Sequence, residues 1–248
     1  MIQDRALFRI DVGPFHLWSA DPNDISSMPV TQACIQLLSD AERTRWRRLR
    51  TEIGRREYLT TRMLVRTALS HYHPLSPAEW RFRANAYGKP SVEPDCGLSF
   101  NLSNSPGLVV CLIARECEVG VDVEPYDRAG EIVELAADLF SRQELAQLDR
   151  LHGQERLDRA LSLWTLKEAY CKAWGLGLSM PLGEFSFLFD DEGGVRLNVN
   201  PEWNNGVGSD WWFRLVDHAG HRIALVAKQP IGTTFHLVFP VIADVMPG

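Results

Sequence analysis

The sequence predicts an α+β fold: two similar lobes, helices packed on small, mostly antiparallel sheets, around one cleft. Three observations predict it. An order of helix, then hairpin, then further strands occurs once in each half of the chain. The 248 residues are enough for one large domain or two small ones, each with a sizeable core. No low-complexity segment separates the halves, so tight packing is expected, with lobes over residues 1–115 and 116–248. The halves share no sequence period, and the repeat lies in element order alone.

Residues 6–18 alternate apolar and polar (Leu7, Phe8, Ile10, Val12, Phe15, Leu17), which predicts an opening strand. Ser39 and Glu42 stand at capping-box spacing, so a helical region starts there and runs to about Ser70, with a break near Gly54. Prolines at 74 and 77 mark a connector. A strand over Trp80–Ala84, a turn at Tyr87-Gly88-Lys89-Pro90 and an extended run from Phe100 to Ser105 follow. Leu108–Ala114 and Val119–Glu124 are expected to form a hairpin. In the second half, Ser141 and Glu144 repeat the capping box and open a helix to about Leu151. A longer helix covers Leu157–Trp174 and stops at Gly175-Leu176-Gly177. Phe185–Phe189 and Val195–Val199 flank the turn Asp190-Asp191-Glu192-Gly193-Gly194, and strands follow near Trp211–Val216 and Ile223–Ala227.

Composition removes several function classes. A formal charge of −6 gives no global footprint for nucleic acid or an anionic membrane. No run approaches the roughly 20 apolar residues needed to span a bilayer, and Met1-Ile2-Gln3-Asp4-Arg5 leads into no secretory signal. The five cysteines are scattered and form no Cys-x-x-Cys pair, so neither a zinc cage nor a disulfide framework is expected. The thiols should be reduced and mostly buried, in a cytoplasmic protein. Neither a P-loop nor a dinucleotide-binding glycine fingerprint is present, and the histidines have no metal-ligand spacing.

Chemistry concentrates in two acidic motifs. Gly120-Val121-Asp122-Val123-Glu124 reads as a strand whose alternation puts Asp122 and Glu124 on one face and the valines on the other. Adjacent carboxylates repel unless a cation lies between them. An edge strand with a solvated face would show the same pattern. Glu168 falls on a largely apolar stripe with Leu157, Leu161, Trp164 and Cys171. A carboxylate there needs a cation, a proton or a metal. Lys172, one turn on, could be its partner, as in an ordinary surface pair. Together, three carboxylates and a lysine suit a magnesium ion and a phosphate-bearing substrate.

Basic and small polar groups lie elsewhere. Arg43, Arg45, Arg47, Arg48, Arg50, Arg55 and Arg56 crowd one segment, as a solvated helix face or as a site for an anion or acidic partner. Phe100-Asn101-Leu102-Ser103-Asn104-Ser105 carries small hydrogen-bonding groups able to hold a phosphate or ribose.

In this order the segments resemble the Sfp-type 4′-phosphopantetheinyl transferases. The resemblance spans about residues 40–190. Tyr87-Gly88-Lys89-Pro90, Phe100–Ser105, Gly120–Glu124, Phe140-Ser141 with Glu144, and Trp164–Lys172 followed by Gly175-Leu176-Gly177-Leu178 carry it. It implies two pseudo-symmetric lobes with coenzyme A between them. It also implies transfer of phosphopantetheine to a serine of an acyl or peptidyl carrier protein, with release of 3′,5′-ADP. Asp122, Glu124 and Glu168 would hold Mg²⁺, Glu168 would also act as base, and Lys172 would neutralise phosphate charge. Arg45, Arg56, Lys89, Ser103 and Asn104 would contact the nucleotide. The family has histidine at the place of Asn104, so the 3′-phosphate contact there is expected to be weaker. The enzyme would act as a monomer in secondary-metabolite assembly. Another magnesium-dependent nucleotide-using phosphotransferase, or a non-catalytic coenzyme A-binding module, are the rival readings.

Overall fold

The periodicities resolve, in a computed structural model that describes residues 8–12, 15–24, 28–200, 211–228 and 237–238, into short antiparallel sheets and two long helices. In chain order the elements are β1 (Phe8–Val12), β2 (Phe15–Ala20), α1 (Met28–Leu37), α2 (Asp40–Arg48), α3 (Glu52–Ser70), β3 (Arg81–Ala84), β4 (Pro90–Glu93), β5 (Leu98–Ser105) and β6 (Leu108–Arg115). Then come β7 (Val119–Pro125), α4 (Ala129–Glu134), α5 (Ala136–Leu139), α6 (Arg142–Leu148), α7 (Gly153–Trp174), β8 (Phe185–Phe189), β9 (Val195–Val199), β10 (Trp211–His218), β11 (His221–Lys228) and β12 (Leu237–Val238).

By its contacts the chain falls into two compact units. One holds the residues up to Ala84, Pro90–Glu116 and β12; the other holds Asn85–Lys89 and the chain from Cys117 through β11. The first unit is an antiparallel sheet in the order β12-β1-β2-β6-β5, with α3 on one face. Leu64, Val65, Ala68 and Leu69 bury against Trp18, Phe100, Val109, Cys111 and Ile113. The second is the antiparallel sheet β10-β11-β7 under α7, with the β8–β9 hairpin beside it. Its core gathers Leu163, Leu166, Tyr170, Phe185, Phe187, Ala224 and Val226.

Both capping boxes form. Ser39 Oγ accepts from Glu42 N, and Glu42 Oε2 accepts from Ser39 N at 2.8 Å; Ser141 and Glu144 repeat the pattern. The break in the first helical region lies at Leu49–Thr51 rather than at Gly54. Thr51 restarts the helix by accepting from Gly54 N at 3.1 Å, so the glycine is the capped residue and not the breaker. The opening alternation divides into two paired strands, β1 and β2. Leu7 lies outside the described residues.

The expected β6–β7 hairpin is not formed. β6 pairs instead with β5, across the two-residue turn Pro106-Gly107, where Gly107 has φ +83°. β7 pairs with β11, a strand about a hundred residues on, with Asp122 opposite Ala224. The Lys89 turn, expected with the N-terminal lobe, belongs to the second unit. Asn85 Nδ2 donates to Gly175 O at 3.0 Å and Lys89 Nζ to Ala173 O at 2.6 Å, which satisfies the last carbonyls of α7.

Gly120 lets α7 lie directly on β7. A Cβ there would stand 2.0 Å from Ala169 O and 2.6 Å from Ala173 N, both backbone atoms that cannot yield cheaply. Gly120→Ala should therefore cost at least about 1–3 kcal/mol as helix and strand are forced apart. Urea denaturation measures it, and an unchanged midpoint would show that the helix yields freely. All five cysteines are free, and four are buried. Among the described residues no helix is long and apolar enough to cross a membrane.

Candidate active site

The face of β7 that carries Gly120 looks onto α7, so the alternation that placed Asp122 and Glu124 with it aims both carboxylates at the helix. The two elements run in opposite directions with matched steps. Two strand residues advance about 6.6 Å and four helix residues about 6.0 Å, so α7 side chains stay in phase with alternate β7 residues. Ala169 and Ala173 meet Gly120, Lys172 meets Asp122, and Trp164 meets Glu124.

Asp122 and Glu124 are 4% and 7% exposed, which removes the solvated-edge reading although β7 is an edge strand among the described residues. Asp122 Oδ1 accepts from Lys172 Nζ at 2.6 Å. Glu124 Oε1 accepts from Trp164 Nε1 at 2.8 Å and from Arg128 Nη1 at 2.5 Å. The lysine expected to pair with Glu168 along the helix thus reaches across to the strand. Glu168 is half-buried, and burial holds its carboxyl above the usual carboxylate range. The charge of Asp122 adds to that rise, Lys172 opposes it, and Glu124 raises it further. The bond to Glu124 in turn raises the Arg128 guanidinium.

The other predicted residues have different surroundings. Lys89 Nζ is held by Ala173 O and by Glu118 Oε2 at 2.8 Å, at the C-terminal end of α7. Ser103 shares the buried polar face of β5 with Asn101 and Ser105, while Asn104, one residue on, is exposed on the opposite face. Arg45 lies 5.9 Å over the Tyr58 ring, and Arg56 pairs with Glu52 at 3.9 Å. These four, Arg45, Arg56, Ser103 and Asn104, belong to the first unit.

Three residues of the second unit escape a reading by spacing. Arg128 lies in a single turn after Pro125, with no pattern to announce it. Trp164 counts in sequence only as an apolar member of the helix stripe. Lys167 is fully buried, and its Nζ donates to Glu144 Oε2, Leu182 O and Phe185 O at 2.9, 2.6 and 2.9 Å. A lysine amid Leu163, Leu166 and Tyr170 was the available signal for a buried cation.

Among the described residues no three acidic, imidazole or thiol groups stand close enough to hold a metal as they are arranged. Lys172 and Arg128 are bound to two of the three carboxylates. The donor set nonetheless fits a hard divalent cation: every candidate donor is a carboxylate oxygen. Burial raises Glu168 first, and Asp122 and Glu124 add to that rise against Lys172 and Arg128, so a cation placed among the three carboxylates would oppose it.

Residues 118–226, from β7 into β11, match the 4′-phosphopantetheinyl transferase superfamily. The chain belongs to that family. It is 34% identical over 137 residues to a 4′-phosphopantetheinyl transferase of Bacillus subtilis, spanning 55% of this chain and 60% of the relative's length. To the B. subtilis 4′-phosphopantetheinyl transferase ffp it is 30% identical over 204 residues, 82% of this chain and 88% of that one. To 4′-phosphopantetheinyl transferase Sfp of B. subtilis strain 168 it is 29% identical over 165 residues, 66% of this chain and 72% of the other. Asp122, Glu124, Glu168 and Lys172 all fall inside the matched range, and Arg45, Arg56, Lys89, Ser103 and Asn104 outside it.

Proposed function

We propose that this protein transfers 4′-phosphopantetheine from coenzyme A to a serine hydroxyl of an apo acyl or peptidyl carrier protein, releasing 3′,5′-ADP. The observation that carries the reading is the meeting of strand and helix, Asp122 bonded to Lys172 and Glu124 to Trp164 with Glu168 on the same helix, inside the segment that matches the family. Asp122, Glu124 and Glu168 would hold Mg²⁺, which when bound neutralises charge on the coenzyme A pyrophosphate.

The residues of the chain do the rest. Glu168, whose carboxyl is raised by burial, takes the proton of the attacking serine. The serine oxygen then bonds to the β-phosphorus, and the bond to the bridging oxygen breaks, its electrons leaving with 3′,5′-ADP. Lys172 exchanges Asp122 for phosphate oxygens and offsets the charge that develops there. Arg45, Arg56, Lys89, Ser103 and Asn104 supply nucleotide contacts, with Lys89 first released from Ala173 O and Glu118. Four buried free thiols suit a reducing cytoplasm.

The test is incubation with coenzyme A, Mg²⁺ and a panel of apo carrier domains, followed by intact-mass measurement. At least one carrier should gain a single phosphopantetheine mass. A phosphate or nucleotidyl increment, or no gain on any carrier, would refute the assignment.

A further inference from the structure

We propose that Arg128 is a resident counter-cation at the carboxylate site, competing with a divalent metal for Glu124 and parking on Glu131 when it lets go. The inference rests on the metal reading above. Arg128 follows Glu124 by four residues, at the end of the turn Tyr126–Arg128. Its Nη1 donates to Glu124 Oε1 at 2.5 Å, while its Nε reaches Glu131 Oε2 at 3.3 Å. One guanidinium therefore bridges a buried carboxylate and an exposed one, their side chains 10% and 59% exposed.

Glu124 Oε1 already takes two donors, since Trp164 Nε1 also bonds to it. The guanidinium keeps its charge at any working pH, so it cannot make way by losing a proton. A second cation bound to the same carboxylate would face that charge at close range. Arg128 has to swing outward, and Glu131, in the first turn of α4, is already within its reach. At 38% exposure the Arg128 side chain has room to move. In metal-free protein the pair also relieves repulsion among Asp122, Glu124 and Glu168. The chain thus carries an internal competitor that sets how much metal it needs.

Titration with Mn²⁺ alone, following the loss of the free-ion electron paramagnetic resonance signal, tests this without any turnover. Arg128→Gln should bind Mn²⁺ about three- to tenfold more tightly than wild type, a range between an exposed ion pair and a charge-assisted hydrogen bond. Glu131→Gln should weaken binding, and do so less when Arg128→Gln is also present, because nothing then remains to be received. Equal or weaker binding by Arg128→Gln overturns the proposal. The control is Glu168→Gln. If it weakens Mn²⁺ binding while Arg128→Gln does not tighten it, the competitor role alone falls. If wild type binds no Mn²⁺, or Glu168→Gln binds as wild type does, the metal reading falls with it.

Discussion

Glu168→Gln should reduce transfer by at least about a hundredfold and, in the same protein freed of metal, raise the melting temperature at neutral pH. The first effect follows from loss of the group that would accept the serine proton, a contribution typically of about 10²–10⁴. The second comes from the charges around it. Burial raises the Glu168 carboxyl first, then Asp122, and Lys172 only partly offsets them. A carboxyl raised in the folded state binds its proton more tightly there than in the unfolded chain. Below the unfolded value, near 4.5, both states are protonated and nothing is lost. As pH rises from there through the raised folded value, the fold loses stability, and it stays less stable above. Glutamine keeps the shape without the charge, so its melting temperature should exceed that of wild type by a margin that opens over this window and then holds. Melts in chelator across the pH range measure the margin. A wild type more stable than the variant at neutral pH would mean that Lys172 overcompensates and that the site stores no repulsion.

The two acidic motifs were legible in the sequence while their surroundings were not. Alternation along a strand is a local property, and it placed Asp122 and Glu124 on one face correctly. Helical spacing did the same for Glu168, and a glycine marked the end of α7, where Gly175 takes φ +68°. The β8–β9 hairpin formed over Phe185–Phe189 and Val195–Val199, the ranges read from sequence, because its turn chemistry lies between its strands. Pairing across the chain has no such signature. β6 and β7 are neighbours in sequence, yet β6 pairs on both edges with β2 and β5 while β7 pairs with the distant β11, which puts them in different sheets. α1 was missed because Met28–Leu37 mixes polar and apolar residues and no acidic residue marks its first turn. Lys172 bonds to Asp122 across from it while its charge still acts on Glu168 along the helix, because Gly120 lets the two elements approach closely.

Lys167→Met should be the most destabilising single change in the second unit, costing about 3–5 kcal/mol. The ammonium and the Glu144 carboxylate are both 0% exposed and stand 2.9 Å apart. Desolvation lowers the lysine, and Glu144 opposes the shift, so the ion survives burial only through its partners. All three of its donors are used, on Glu144, Leu182 O and Phe185 O, and the Phe185 ring lies 4.2 Å from the charge. Glu144 in turn accepts from Ser141 N and Phe187 N at 2.8 and 2.9 Å. One ion pair thereby joins the start of α6, the middle of α7 and the first residues of β8. Methionine fills much of the volume but leaves a buried carboxylate without a cation and two carbonyls without a donor. Adding Glu144→Gln should recover part of the loss, since an amide oxygen still accepts from either backbone N–H and no charge is stranded. Urea denaturation of wild type, both single variants and the double variant reads the coupling directly, provided the slope is constant. Additive losses would show that the two charges are independent. Because Lys167 adjoins Glu168 but turns about 100° from it around the helix, its loss should lower the amount of folded enzyme far more than the turnover of each folded molecule. A fall in turnover per folded molecule as large as that of Glu168→Gln would instead place Lys167 in the chemistry.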